Sequence, residues 1–143
     1  MIIIDGKDSV LGRLSSFAAK KLLEGERVSI LNAEQVIISG RKEITLDSYQ
    51  SWMKTRNVAN PLRGPIHPKR PEDIVRRAVR GMLPYSKSRG IAAFRRLRVH
   101  RRMPDEFSGK EFTIIPNAAL EHLSTRRVMR VGDLSRRLGG DYK

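Results

Sequence analysis

Between Ile2 and Ser39 the chain reads IIIDGKDSVLGRLSSFAAKKLLEGERVSILNAEQVIIS, and its hydrophobic period changes twice within that stretch. Ile2-Ile3-Ile4 is a short apolar run suited to a buried strand. Asp5-Gly6-Lys7-Asp8 supplies turn chemistry, and Asp8 or Ser9 is placed to cap a following helix. From Val10 to Leu23 the residues Val10, Leu11, Leu14, Phe17, Ala18 and Leu22 fall on one helical face, with Arg13, Ser16 and Lys20 on the other. Gly25 is a natural stop. Val28 to Ala33 and Val36 to Ser39 then return to β-rich composition. A strand, a helix and a strand within about 33 residues form a βαβ unit, which predicts parallel strands and a right-handed crossover.

Outward from that unit, Leu46, Tyr49, Trp52 and Met53 predict a second helix after Gly40. The stretch Asn60-Pro61-Leu62-Arg63-Gly64-Pro65-Ile66-His67-Pro68-Lys69-Arg70-Pro71 follows, too rich in proline for a helix or a central strand, and so an extended basic loop. Pro71-Glu72-Asp73 opens another helix, proline and acids both being favoured in a first turn. On it Ile74, Val75, Ala78, Val79 and Met82 oppose Arg76, Arg77 and Arg80. Leu83-Pro84-Tyr85 ends that helix. A further one, about Ser86 to Arg96, sets Ile91, Ala93 and Phe94 against Lys87, Arg89, Arg95 and Arg96. Leu97 to His100 and Phe112 to Ile115 are candidate strands, and Val131 to Gly140 predicts a short helix capped by Asp133 and stopped by glycine.

The chain has 143 residues and a net charge of +14, and its length fits one domain, residues 1–143. It has no cysteine, which excludes disulfides and Cys-based zinc sites. The apolar opening is far too short for a signal-peptide core or a membrane span, so a soluble intracellular protein is expected. Residues 1–53 and 103–143 are close to neutral, whereas residues 54–102 carry 15 basic and 2 acidic side chains. A solvated surface mixes both signs, so charge concentrated in this way points to a polyanion, nucleic acid first. No acid occurs between Ile74 and Met103, where a merely solvated helix face would interleave Glu with Arg. Arginine suits a phosphate backbone because its planar fork makes bidentate, charge-assisted bonds. A bilayer is disfavoured, since membrane-surface helices carry Trp, Phe or Leu beside their basic face.

The candidate RNA contacts begin with Lys54 and Arg56, continue through Arg63, His67, Lys69 and Arg70 of the loop, and include the arginine faces of both helices. Arg98, Arg101 and Arg102 follow in the same segment, and Lys7 or Arg13 could hold one further phosphate. The turn Asp5 to Arg13 sits where α/β enzymes bind phosphates, but it matches neither G-x-G-x-x-G nor G-x-x-x-x-G-K-[ST]. Its glycines suit a tight turn and close helix packing better. His67, His100 and His122 are scattered, with no carboxylate partners at ligand spacing, so no metal site is expected. Trp52 has the spacing of a core anchor, with base stacking as the alternative. No side-chain set suggests catalysis or a cofactor.

Together these residues carry a family likeness. Asp5-Gly6-Lys7-x-x-x-Leu11-Gly12-Arg13-Leu14 with Ala18, Val28-x-x-Leu31-Asn32-Ala33-Glu34, Ile38-Ser39-Gly40, Gly64-Pro65-x-His67 and Gly81-Met82-Leu83-Pro84 resemble the universal large-subunit ribosomal protein thirteen family over nearly the whole chain. Pro84-Tyr85-x-x-x-Arg89-Gly90 resembles its archaeal and eukaryotic branch. The resemblance implies a three-layer α/β/α fold around a four-stranded, mainly parallel sheet, with the basic loop and helices as an extension. It also implies a non-catalytic cytoplasmic constituent of the large subunit that binds large-subunit rRNA between Arg63 and Arg102. Neighbouring ribosomal proteins would be its other partners, with no membrane and no small-molecule substrate. A nucleotide-binding enzyme and a DNA-binding chromatin-type protein stand as alternatives.

Overall fold

A computed structural model describes residues 1–115 and 117–140. Along the chain come β1 (Ile2–Asp5), α1 (Leu11–Leu23), β2 (Val28–Leu31), β3 (Ile37–Ser39), α2 (Lys42–Lys54), α3 (Pro71–Gly81), α4 (Ser88–Arg95), β4 (Leu97–Val99), β5 (Val128–Arg130) and α5 (Val131–Arg137). The architecture is mixed α/β. β1 and β2 pair in parallel from Ile2 opposite Val28 to Asp5 opposite Leu31, as the βαβ pattern predicts. β4 joins the other side of β2, also in parallel, giving the order β1-β2-β4. The central strand β2 is buried along its whole length, which explains its continuous apolar character.

β3 does not enter this sheet. Asn32 takes the left-handed conformation (φ 53°) and a 3-10 turn over Ala33–Gln35 redirects the chain. β3 then pairs antiparallel with β5, Ile37 opposite Arg130 and Ser39 opposite Val128. The expected strand at Phe112–Ile115 is reduced to one parallel bridge on the free edge of β1, where the Thr113 amide donates to the Ile3 carbonyl at 2.8 Å.

Neither Asp8 nor Ser9 caps α1. The N-cap is Val10, with no side-chain bond. The reason is that Ser9 and Val10 are held as extended chain: the Ile37 amide donates to the Ser9 carbonyl and the Val10 amide to the Ala118 carbonyl. Asp8 instead accepts from Arg130 at 3.0 Å. Nor does Asp133 cap α5. Arg130 holds that position, and Asp133 lies in the first turn, where its charge favours the helix dipole.

Ile4, Val28, Ile30 and Leu97 of the sheet meet Leu14, Ala18 and Leu22 of α1 and Ile74, Val75 and Val79 of α3 in one core. On the opposite sheet face Phe107 covers Ile3 and Leu31. α3 and α4 are therefore not an appended extension. They form the last part of the connection into β4.

The two glycines of the first turn behave differently. A Cβ on Gly6 would lie 2.7 Å from the Leu31 carbonyl oxygen and 2.8 Å from Val36 Cγ2, whereas one on Gly12 would meet nothing within 4 Å. Close packing thus explains Gly6 and not Gly12. Gly12→Ala should stabilise the fold by about 0.5 kcal/mol, a small rise in Tm, because alanine loses less backbone entropy in a helix. A fall in Tm would mean that this position is constrained by something other than the fold.

Candidate nucleic-acid interface

The proline-rich loop between α2 and α3 is tied down at both ends. Near its start, the His67 ring nitrogen Nε2 lies 2.8 Å from the Thr55 carbonyl. A carbonyl only accepts, so this nitrogen carries the proton. At its end, the Ser135 hydroxyl of α5 donates to the Lys69 carbonyl. Gly140 packs against the same oxygen so closely that a Cβ there would lie 2.6 Å away. Pro71 is buried, and Arg70 supplies the first carbonyl of α3 to the Ile74 amide. These ties give a segment that lacks regular structure a defined path across the protein surface.

Between this loop and α3 runs an open groove of about 840 Å³ whose lining includes His67, Lys69, Arg70, Arg76, Arg77 and Arg80. Asp73 is the only acid that lines it among the described residues. The sequence placed these six residues on one surface, and the fold brings them together.

The sequence did not reveal how the arginines are held. The Arg77 guanidinium lies 3.6 Å from the centre of the Trp52 ring, and Trp52 meets His67 edge-on with centroids 4.3 Å apart. Arg80 stacks on Tyr85 at 4.1 Å and Arg76 on Phe94 at 4.9 Å. Tyr85 and Phe94 meet edge-to-face at 5.5 Å. Each cation of α3 therefore rests on a ring from another part of the fold. Stacking leaves the guanidinium edges, with their N–H donors, free to turn outward. It also answers the alternative for Trp52: this ring is half-buried and stacked by Arg77, so it positions a cation rather than standing open to a base. Beside it, burial pushes the Tyr49 hydroxyl above its ordinary pKa, and the Arg77 charge pulls it partly back.

Trp52→Ala removes no charge yet releases Arg77 and His67. RNA affinity should fall about two- to fivefold, the order of an exposed cation–π contact, while the salt dependence keeps its slope. A flatter slope in a salt titration would show that Trp52 affects more than orientation.

The other candidates divide by what already holds them. Lys54, Arg56 and Arg63 are exposed at the end of α2 and along the loop, and Lys87, Arg89 and Arg95 are exposed on and beside α4. Arg98 is exposed on β4 and Lys7 on the first turn, both outside the groove lining. Arg13 donates to the carbonyls of Asn117 and His122, pinning that loop to α1. Arg96 donates to the Leu22 carbonyl at 2.7 Å, a second donor beside the Gly25 amide at the end of α1. Arg102 faces Glu34 at 3.8 Å, and Arg101 is half-buried. Arg13 and Arg96 thus have structural duties that sequence counting could not assign. Beyond the basic block, Arg41, Lys42, Arg126 and Arg127 line a separate groove, a convergence hidden because the neighbouring sequence is near neutral.

The first turn does not have the geometry of a phosphate loop. The amides of Gly6, Asp8, Ser9 and Val10 donate to the carbonyls of Leu31, Gln35, Gly6 and Ala118, and that of Lys7 to the Asp5 carboxylate. A phosphate cradle needs such amides free. Among the described residues no group of three or more His, Asp or Glu could hold a metal ion, and no helix is long and apolar enough to cross a membrane.

Comparison with known proteins identifies the family. The profile of the family described as "Ribosomal protein L13" matches residues 1–106. The large ribosomal subunit protein uL13 of Methanococcoides burtonii is 42% identical over 142 residues, covering 99% of this chain and all of that protein. Its counterpart in Methanosphaera stadtmanae is 41% identical over 141 residues, 98% of each chain. That of Archaeoglobus fulgidus is 43% identical over 138 residues, 96% of this chain and 86% of its own. A match of this length, spanning the βαβ base, the proline loop and the arginine-faced helices alike, means that the chain belongs to the ribosomal protein L13 family.

Proposed function

We propose that this chain is a non-catalytic structural constituent of the large ribosomal subunit, bound to large-subunit rRNA through the groove between the proline loop and α3. The carrying observation is the set of three α3 arginines, each stacked on an aromatic ring above a groove with one acid in its lining among the described residues. Rings and core fix where the cations stand, so RNA phosphates meet donors already in place and little side-chain entropy is lost on binding. Lys54, Arg56 and Arg63 continue the positive surface along the loop, and Lys87, Arg89 and Arg95 continue it on α4. Phosphate contacts set orientation and carry little sequence information, as befits a protein that recognises the shape of a folded RNA.

The finer features of the reading follow from the same contacts. Residues 1–143 act as one domain, supported by α5 packing on α3 and β5 pairing with β3. The Thr113 bridge on the edge of β1 supports a four-stranded sheet, and the packing of Phe107 on Ile3 and Leu31 supports a three-layer α/β/α arrangement. Neighbouring ribosomal proteins and rRNA together would cover Leu62, Ile66 and Ile114, which are 97%, 88% and 89% exposed. The site of action is the cytoplasmic ribosome. The test is sedimentation: the native chain should remain with the large subunit through a high-salt sucrose gradient, and its recovery only in the free-protein fractions would refute the assignment.

A further inference from the structure

Arg41 and Lys42 open α2, while Arg126 and Arg127 lead into β5. The antiparallel pairing of β3 with β5 brings the two segments together, with Ser39 opposite Val128 and the Gly40 amide donating to the Arg127 carbonyl at 2.8 Å. All four side chains are exposed and line one open groove of about 680 Å³ with Glu43 and Val128. Lys42 also lines the adjoining groove, where α5 contributes Arg136 and Arg137. Arg136 is paired with Asp133 at 3.2 Å. The side chains of Arg41, Lys42, Arg126 and Arg127 form no hydrogen bond or ion pair among the described residues.

Four like charges gathered on one surface repel one another, and an anionic ligand relieves that repulsion. The makeup of the groove favours nucleic acid over a protein. Val128, half-buried, is its only large apolar residue among the described ones, whereas the centre of a protein interface is apolar and depleted of charge. Three of the four cations are arginines, whose forks suit phosphate oxygens. This groove lies at the N-terminal end of α2, and Trp52 toward the other end touches Arg77 and His67 of the loop–α3 groove. At a rise of about 1.5 Å per residue, α2 spans about 15 Å from Lys42 to Trp52.

We propose that the Arg41–Lys42–Arg126–Arg127 groove is a second RNA-backbone site, so that the protein joins two separate rRNA segments along α2. This rests on the rRNA-binding reading of the loop–α3 groove, and the test separates the two. Hydroxyl-radical footprinting would be done with the full chain on protein-free large-subunit rRNA, together with a salt titration. Arg126→Ala with Arg127→Ala should erase one protected segment, leave another intact and flatten the log–log salt slope by about 1.4–1.8, from about 0.7–0.9 for each phosphate left without its cation. Arg76→Ala with Arg80→Ala should erase the other segment. Arg126→Lys with Arg127→Lys, which keeps charge and strand pairing, should retain the first footprint at least in part. A footprint and slope unchanged in the Arg126/Arg127 alanine variant would overturn the second site while leaving the first untouched. Equal weakening of both segments would also overturn it, since that indicates one continuous surface. Loss of an acidic ribosomal protein from the subunit with the RNA footprint intact would assign the groove to a protein instead. No effect from either alanine pair would remove the rRNA reading altogether.

Discussion

Replacing Arg76, Arg77 and Arg80 together with alanine should weaken binding to large-subunit rRNA by about two to three orders of magnitude. The salt slope should become shallower by about 2.7, from 0.9 for each of three phosphates no longer neutralised. A hydrogen bond to a charged group contributes about 1.5–3 kcal/mol. Three such losses, reduced by rearrangement of the neighbouring cations, give a change of that size. The three side chains are exposed at the α3 surface while Ile74, Val75 and Val79 on the opposite face remain in the core. The variant should therefore stay folded, and circular dichroism would check this. A triple lysine variant keeps the charge but loses the planar fork and much of the ring stacking, so its affinity should fall between those of the wild type and the alanine variant. An unchanged slope in the alanine variant would mean that RNA does not lie in this groove.

The second large effect concerns the fold. A Cβ on Gly90 would stand 2.0 Å from the Pro84 carbonyl oxygen, 2.3 Å from its carbon and 2.9 Å from the Tyr85 nitrogen. All three atoms are backbone, so no side-chain rotation relieves the overlap. α4 and the Leu83–Tyr85 turn must separate, carrying Tyr85 and Phe94 away from Arg80 and Arg76. Gly90→Ala should cost about 3 kcal/mol, at the upper end of overpacking effects. For a chain of this size that lowers Tm by about 9 °C. RNA affinity should fall in the material that still folds. A melting temperature within about two degrees of the wild type, by calorimetry at equal concentration, would show that the backbone here relaxes far more easily than the geometry implies.

Local pattern was enough where local pattern decides the structure. β1, α1 and β2 follow from the change of period between Ile2 and Leu31, and the position of α3 from Pro71-Glu72-Asp73 ahead of an amphipathic run. Elements created by distant partners are harder to read. β5, within Arg126-Arg127-Val128-Met129-Arg130, lacks the alternation of a strand and exists because β3 offers it hydrogen bonds. The cap of α1 escapes the sequence because Ser9 and Val10 pair with Ile37 and Ala118, which cannot be inferred from the turn itself. The candidate surface is legible in its charge. Its construction is not: Trp52, Tyr85 and Phe94 look like ordinary core-seeking aromatics until the fold sets them beneath arginines. Arg96 shows the reverse, a cation of the basic block that serves as the end cap of a helix far away in sequence.

The bond from Ser135 to the Lys69 carbonyl also bears on the timing of folding. The ring and carbonyl partners of the groove, from Trp52 and Thr55 to Phe94, lie within the first 94 residues, and α3 packs later on β4 and α5. The fastening of the loop's far end waits for residues 135–140. During synthesis the arginines and the rings they stack on therefore emerge before the residue of α5 that fastens the loop. Newly made chains should consequently pass through a period in which α3 is complete but the groove floor is still loose, when premature capture by RNA would be weakest.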